Sequence, residues 1–203
     1  MNVVFYKFFA FLVRPLLKIF FPYEVRGKEN LKGLSSGSIV CANHLSIMDP
    51  IFLIVSYPYP IFFMAKAELF KNNILKILLK LMGAFPVQRG KGDKEAVDYA
   101  ISIPRQGKTL GIFIEGTRSK SGDFLRPKSG AAVLASKTGS EVVPVCITGS
   151  SKDNKIRMFK KTIIHYGNVV QAENIRISDN NRAEIKQATN LIMGNIMNLR
   201  REI

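Results

Sequence analysis

Cysteine is scarce in this chain: two residues in 203, Cys41 and Cys146, with no CxxC spacing. That argues against a zinc ribbon or a dithiol redox site. Both thiols sit in apolar, strand-like runs and read as buried and inert, as in a protein of a reducing cytosol. Histidine is equally scarce, with two residues, and without a His/Cys cluster no metal is expected. Acidic residues number half the basic ones, 15 against 30, leaving a net charge of +15 and a pI near 10. Such a balance calls for an anionic partner: nucleic acid, an anionic membrane or acidic soluble substrates. Repeats and linkers are missing too. The 47% hydrophobic and 22% charged content excludes disorder, and 203 residues suit one domain with a substantial core. No uninterrupted apolar run approaches the ~20 residues of a membrane-spanning helix, and the small-residue cleavage site of a secretory signal is absent.

What is present begins with an N-terminal stretch of Phe, Val and Leu, Met1–Tyr23, interrupted by Lys7, Arg14 and Lys18. At about 100° per residue these cations fall within roughly 40° of one another on a helical wheel. Phe5, Phe8, Phe9, Leu12, Leu16 and Phe20 occupy the rest of the circumference. Aromatic bulk for the acyl boundary beside a cationic stripe for headgroups is the build of an interfacial helix. Pro15 is expected to kink it or split it in two. The alternative is a terminal core helix whose lysines face water. We take residues 1–24 as a membrane-docking helical segment and 25–203 as one domain.

The remainder alternates strand-like and helix-like pieces. Strands are expected at Ser38–Ala42, Pro60–Ala65, Phe85–Val87, Thr109–Ile114, Val142–Thr148 and Lys161–Tyr166. Helices are expected at Pro50–Tyr57, Glu68–Met82, from an Asp93 cap to about Ile103, Ser129–Thr138, and from near Asp179 to Leu199. Ala96, Val97, Ala100 and Ile101 are read as the buried side of the third of these. Alternation with continuous apolar strands indicates an α/β fold, a mostly parallel sheet flanked by helices. Gly90–Gly92 reads as a mobile turn rather than a phosphate-binding loop.

In such folds chemistry collects on loops at the carboxyl ends of strands. The first such loop carries N-H-L-S-I-M-D, with His44 and Asp49 five positions apart; later ones carry Lys66, Arg89, and Glu115-Gly116-Thr117-Arg118. An imidazole held by a carboxylate is a device for removing a proton from an alcohol. Five residues on an uninterrupted helix rotate by about 140°, so the segment must turn before its helix starts if Asp49 is to reach His44. Pro50 biases Asp49 away from helical dihedrals and supports that boundary. The alternative is an exposed histidine and an aspartate that only caps the helix. A base with convergent cations suits deprotonation of a hydroxyl on a phosphorylated molecule.

Four blocks, N-H-L-S-I-M-D, G-A-F-P-V-Q-R, F-I-E-G-T-R-S and V-P-V-C-I-T-G, span positions 43 to 149. In order and spacing they resemble the glycerolipid acyltransferase family, above all its bacterial lysophosphatidic acid acyltransferase branch. Pro86 stands where many members have Phe, and Ile114 where many have Pro. The resemblance implies transfer of a fatty acyl group from an acyl thioester, on acyl carrier protein or coenzyme A, to the sn-2 hydroxyl of lysophosphatidic acid. It makes His44 the general base and Asp49 its orienting partner. Arg89 and Arg118 would hold the acceptor phosphate, with Lys66 as a third contact. Glu115 would accept hydrogen bonds from the glycerol or position an arginine, and the amides of Gly116 and Thr117 are candidates for the oxyanion. No cofactor is implied. The expected place is the cytoplasmic face of the cell membrane, held peripherally by anionic lipids, with no nucleic-acid partner.

Alternatives remain at this level. A covalent mechanism would use Cys41 or Ser46 as nucleophile. The acceptor could instead be glycerol 3-phosphate or another lysolipid, and the charge alone permits a nucleic-acid binder, though no reading motif is present. Lys120, Arg126 and Lys128 form either a solvated face or a landing surface for an acidic donor. Pro144 lies in a core strand with a secondary claim on the donor site, and His165 reads as structural.

Overall fold

Val142–Gly149 is buried at all eight positions, the pattern of a strand covered on both faces. It lies near the middle of a sheet in a computed structural model, which describes residues 3–34, 37–88, 93–179 and 181–203. The strands are β1 (Tyr23–Arg26), β2 (Ile39–Ala42), β3 (Ile61–Lys66), β4 (Ala84–Val87), β5 (Thr109–Phe113), β6 (Val142–Gly149) and β7 (Thr162–Tyr166). Among the described residues these form one seven-stranded sheet, ordered β1-β7-β6-β2-β5-β3-β4. Every pairing is parallel except β6 with β7. The helices are α1 (Val3–Phe20), α2 (Asp49–Ser56), α3 (Asn73–Leu81), α4 (Lys94–Arg105), α5 (Gly130–Thr138) and α6 (Arg182–Arg201). The α/β fold with a mostly parallel sheet is therefore as expected.

Strand side chains alternate between faces, so each sheet face builds its own core. Ile39, Cys41, Ile112 and Cys146 pack with α4, α5 and α6, while Val40, Ala42, Phe63, Val143 and Val145 pack with α1 and α2. Gly111 is required where β5 meets β3, because a Cβ there would overlap the Phe63 ring. β2 passes to α2 on one face, and its neighbour β5 leads into α5 on the other. Chains that part in this way leave a crevice at the carboxyl ends of the two strands.

Several local expectations shift. Asn72 accepts a hydrogen bond from Leu75 N and starts α3 there. The expected helix from Glu68 thus becomes a tight 3-10 turn, Ala67–Lys71, followed by a shorter helix. Asp93 caps α4 by accepting from Ala96 N, as expected, yet Val97 is exposed and the buried side rotates to Ala96, Ala100 and Ile103. The four residues of β1, not anticipated, join the sheet edge beside β7.

α1 is one continuous helix through Pro15 rather than two. The lost Pro15 donor falls on its exposed side, where Phe11 and Pro15 both face out. Its buried stripe is Tyr6, Ala10 and Leu17, with Phe9 and Val13 packed alongside, so Phe9 turns inward against expectation. Tyr6 accepts from Ile61 N at the start of β3, and burial pushes its hydroxyl up to about 12. Arg14 also differs from a simple headgroup-facing cation: Nη2 donates to Val55 O at 2.9 Å. Phe5, Phe8, Phe11, Leu12, Leu16, Ile19 and Phe20 remain exposed. On the wheel they fill about half the circumference, bordered on one side by Lys7, Arg14 and Lys18 and on the other by the buried stripe.

Candidate active site

Asn43, the first residue beyond β2, is completely buried. Its side-chain amide donates to Ile147 O at 2.8 Å and accepts from Ile147 N at 2.7 Å. The side chain thus continues the ladder to β6 where the β2 backbone turns away. That anchor sets the position of His44.

His44 Nδ1 lies 2.7 Å from Asp49 Oδ2. The same oxygen accepts from Leu45 N at 2.6 Å and Ser46 N at 2.8 Å. An oxygen already receiving two amide protons is an acceptor, so Nδ1 carries a proton, and in the neutral imidazole Nε2 is the nitrogen with the lone pair. The turn required by the spacing is present: Asp49 N donates to Ser46 O at 3.3 Å, and Asp49 opens α2 with Pro50 next. Asp49 is thus helical, one residue earlier than Pro50 suggested, and its carboxylate points back into the loop rather than only capping the helix.

The imidazole stacks on Phe113, ring centroids 4.1 Å apart and planes 16° from parallel. Phe63 stacks in turn on Phe113 at 5.9 Å. One ring edge is therefore held by a carboxylate and one face by an aromatic column rooted in β5 and β3. The His44 side chain keeps 14% of its exposure while that of Asp49 has none, which leaves the imidazole as the outward-facing member of the pair.

The loop after β5 closes over this pair. Glu115 is 1% exposed. Its Oε2 accepts from His44 N at 3.0 Å and its Oε1 from Leu125 N at 3.0 Å. Burial raises its carboxyl above the usual range, while the two amides and the nearby Arg200 charge act in the opposite direction. Beside the glycerol contact or arginine positioning expected of it, Glu115 thus braces the loop through both oxygens. Gly116 takes a left-handed φ of 70° to make the turn, and its N–H donates to Phe113 O at 2.9 Å. The amide expected to serve the oxyanion thus donates within its own loop. Ser119 N donates to His44 O at 2.8 Å, so the loop grips His44 through both backbone groups. Thr117 and Arg118, between these anchors, are exposed.

Other cations lie further out. Lys66 ends β3 and pairs with Glu68 at 3.3 Å. By register it is level with the start of the β5 loop, but β3 is two strands from β2, about 10 Å away. Arg89 lies outside the described residues, as does the expected turn at Gly90–Gly92. His165 is structural: Nδ1 is 3.3 Å from Leu199 O. Cys41 is fully buried and its thiol is pushed up by desolvation, which disfavours a thiolate nucleophile. Ser46 Oγ accepts from Met48 N at 3.2 Å within the turn.

Two participants escaped the sequence reading. Phe113 reads as one more strand residue, and nothing in its spacing marks a stacking partner. Arg200, near the end of α6, reaches the β5 loop: Nη1 donates to Gly122 O at 3.0 Å, and Cζ stands 3.6 Å from the Phe124 ring centroid. Only folding brings the last helix under that loop.

The acyltransferase family model matches residues 22–148. A 1-acyl-sn-glycerol-3-phosphate acyltransferase of Borreliella burgdorferi is 35% identical over 125 residues, covering 61% of this chain and 50% of that protein. Its Bacillus subtilis counterpart is 34% identical over 157 residues, covering 77% and 76%. The chain thus spans about half the length of the first relative and about three quarters of the second. The crystal structure of the 1-acyl-sn-glycerophosphate acyltransferase PlsC from Thermotoga maritima is 25% identical and superposes with a TM-score of 0.65, covering 88% of this chain and 72% of that one.

Proposed function

Because this chain belongs to the acyltransferase family, we propose that it acylates the sn-2 hydroxyl of lysophosphatidic acid to give phosphatidic acid. The observation that carries the proposal is His44 fixed by Asp49 and Phe113 at the crevice between β2 and β5, with Nε2 as the open base. Nε2 takes the hydroxyl proton as the oxygen attacks the thioester carbonyl carbon. The imidazolium formed is stabilised by Asp49. The tetrahedral intermediate collapses with rupture of the C–S bond, and the departing thiolate recovers the proton. Products are phosphatidic acid and the free thiol of acyl carrier protein or coenzyme A. Arg118, exposed on the loop that grips His44, would bind the acceptor phosphate together with Arg89, and Lys66 would complete the cationic rim.

The lipid acceptor is met at a bilayer. No helix among the described residues is long and apolar enough to cross a membrane. The exposed arc of α1, with Phe5, Phe8, Leu12, Leu16 and Phe20, supports peripheral docking on anionic lipids at the cytoplasmic face, with Lys7 and Lys18 at its border.

The test is phosphatidic acid formation from lysophosphatidic acid with each thioester in turn, for wild type and His44→Ala. Product from wild type and a loss of about a hundredfold or more in the folded variant is expected. Turnover that survives His44→Ala sinks the mechanism, and the absence of product with both donors sinks the acceptor assignment.

A further inference from the structure

The connection from β6 to β7 is the one antiparallel crossing in the described sheet, and β6 runs parallel to β2 and β5, so residues 150–161 start from the same end of the sheet as the loops after β2 and β5. Its tip breaks the usual chemistry of a turn. Gly, Asn, Asp and Ser are the residues such positions favour, yet here stand Met158 and Phe159, 51% and 64% exposed. Phe159 moreover adopts a left-handed φ of 58°, a conformation that bulky L residues rarely hold. It is kept there by its N–H, which donates to Phe20 O at 2.7 Å and so caps the last turn of α1. Capping needs only the amide. The ring is surplus to it, and lies 6.0 Å from the Phe20 ring at 53°.

We propose that Arg157–Lys161 is a second bilayer contact, in which Met158 and Phe159 enter the acyl boundary of an anionic membrane in line with the exposed arc of α1. The proposal rests on the reading that α1 docks on a membrane, and extends it from a helix to a surface of two elements. Three features support it. The Phe20–Phe159 contact makes the apolar surface continuous from α1 into the turn. Arg157, Lys160 and Lys161 flank the apolar pair and are all exposed, with Arg157 and Lys161 oriented by Asp153 at 2.6 Å and Glu24 at 2.9 Å. Apolar tips ringed by cations match a bilayer whose headgroups are negative. Finally, the same connection backs onto the active-site loop: Gly122, at φ 94°, packs so closely on the Asp153 carbonyl that a Cβ would overlap it. Lipid contact at this turn therefore sets the opening beside His44 against the surface that holds a lipid acceptor.

The chain contains no tryptophan, so a single introduced one reports its own surroundings. Phe159→Trp and, on α1, Phe8→Trp are each mixed with phosphatidylglycerol/phosphatidylcholine vesicles, with co-sedimentation and quenching by brominated lipids followed in parallel. Blue-shifted, bromolipid-quenched emission at both positions is expected. In the otherwise unaltered chain, Phe159→Asn keeps a residue that tolerates the left-handed region and removes the ring. It is expected to lower vesicle partitioning by about tenfold or more, with the thermal midpoint held or raised. Should Phe159→Trp fail to fold, the Asn variant decides by sedimentation alone. Vesicle binding with a shift at Phe8→Trp, none at Phe159→Trp and unchanged sedimentation of Phe159→Asn overturns the second contact and leaves α1 docking intact. No sedimentation and no shift at Phe8→Trp overturns α1 docking and the turn with it.

Discussion

Asp49→Asn is the sharpest probe of the site, because it changes charge at almost constant shape. In wild type one carboxylate oxygen collects the His44 ring proton and two backbone amides. In the proposed mechanism the imidazole becomes imidazolium, with the completely buried carboxylate as its counter-charge. Two unit charges about 4 Å apart interact by about 4 kcal/mol at an effective dielectric constant near 20. At 1.36 kcal/mol per decade, losing most of that corresponds to about 10²- to 10³-fold in kcat. The neutral amide retains an acceptor for Leu45 and Ser46, so the loop is expected to fold with a loss of about 1–3 kcal/mol, the cost of an imperfectly satisfied buried group. In a domain of this size that lowers Tm by roughly 2–4 °C per kcal/mol. The assay is initial-rate acyl transfer over a range of lysophosphatidic acid concentrations, with melting followed by circular dichroism. KM is expected to move little, because Asp49 touches no substrate. Turnover within threefold of wild type in the folded variant would refute the reasoning and reduce Asp49 to a turn cap; so would a loss confined to KM.

Four further outcomes follow from the same geometry. Arg118→Lys keeps the charge but loses the planar fork, so KM for the acceptor should rise about tenfold while kcat holds; an unchanged KM would remove Arg118 from the phosphate site. Cys41→Ala should leave turnover nearly intact with a modest fall in Tm, since the thiol is buried and protonated; abolished turnover in a folded variant would revive a covalent intermediate. Arg200→Ala removes the hydrogen bond to Gly122 and the stack on Phe124, and is expected to lower Tm and raise acceptor KM severalfold, since the loop it supports carries Arg118. An unchanged KM would confine Arg200 to stability. For Glu115 the sign runs as for any carboxyl raised by burial: its contribution to stability is full below the ordinary carboxyl pKa of about 4.3 and is lost as pH rises through the raised value. The Tm advantage of wild type over Glu115→Gln should therefore narrow between pH 4 and pH 7, and a gap that widens would reverse the assignment of burial as the dominant influence.

The strands were legible because both sheet faces are covered, which turns each of them into a short apolar run in the sequence itself. β1 was not, since Y-E-V-R carries two charges and is only half-buried at every position; edge pairing with β7, a long-range event, makes it a strand. The start of α3 is hidden in the sequence because the apolar periodicity runs on before Asn72, and the cap interrupts it through one side-chain hydrogen bond. At the site, His44 and Asp49 were readable as a pair since their bond is local, five residues apart. Glu115 is legible as a site residue but its bracing bonds are not, because the amides that engage its oxygens belong to His44 and Leu125, and a sequence does not show which way an amide points.

By itself, then, the sequence determined the chemistry available: an imidazole with a carboxylate within loop reach, a surplus of cations and an amphipathic first helix. These follow from residue type and short-range spacing, which the chain carries before it folds. Tertiary structure decided how that chemistry is arranged. The parting of β2 and β5 to opposite sheet faces made the crevice, Phe113 and Phe63 stacked beneath the imidazole, and Arg200 came under a loop some eighty residues earlier in the chain. Packing likewise turned Phe9 inward and Phe159 outward, since burial is a property of the assembled surface and not of the residue that occupies it.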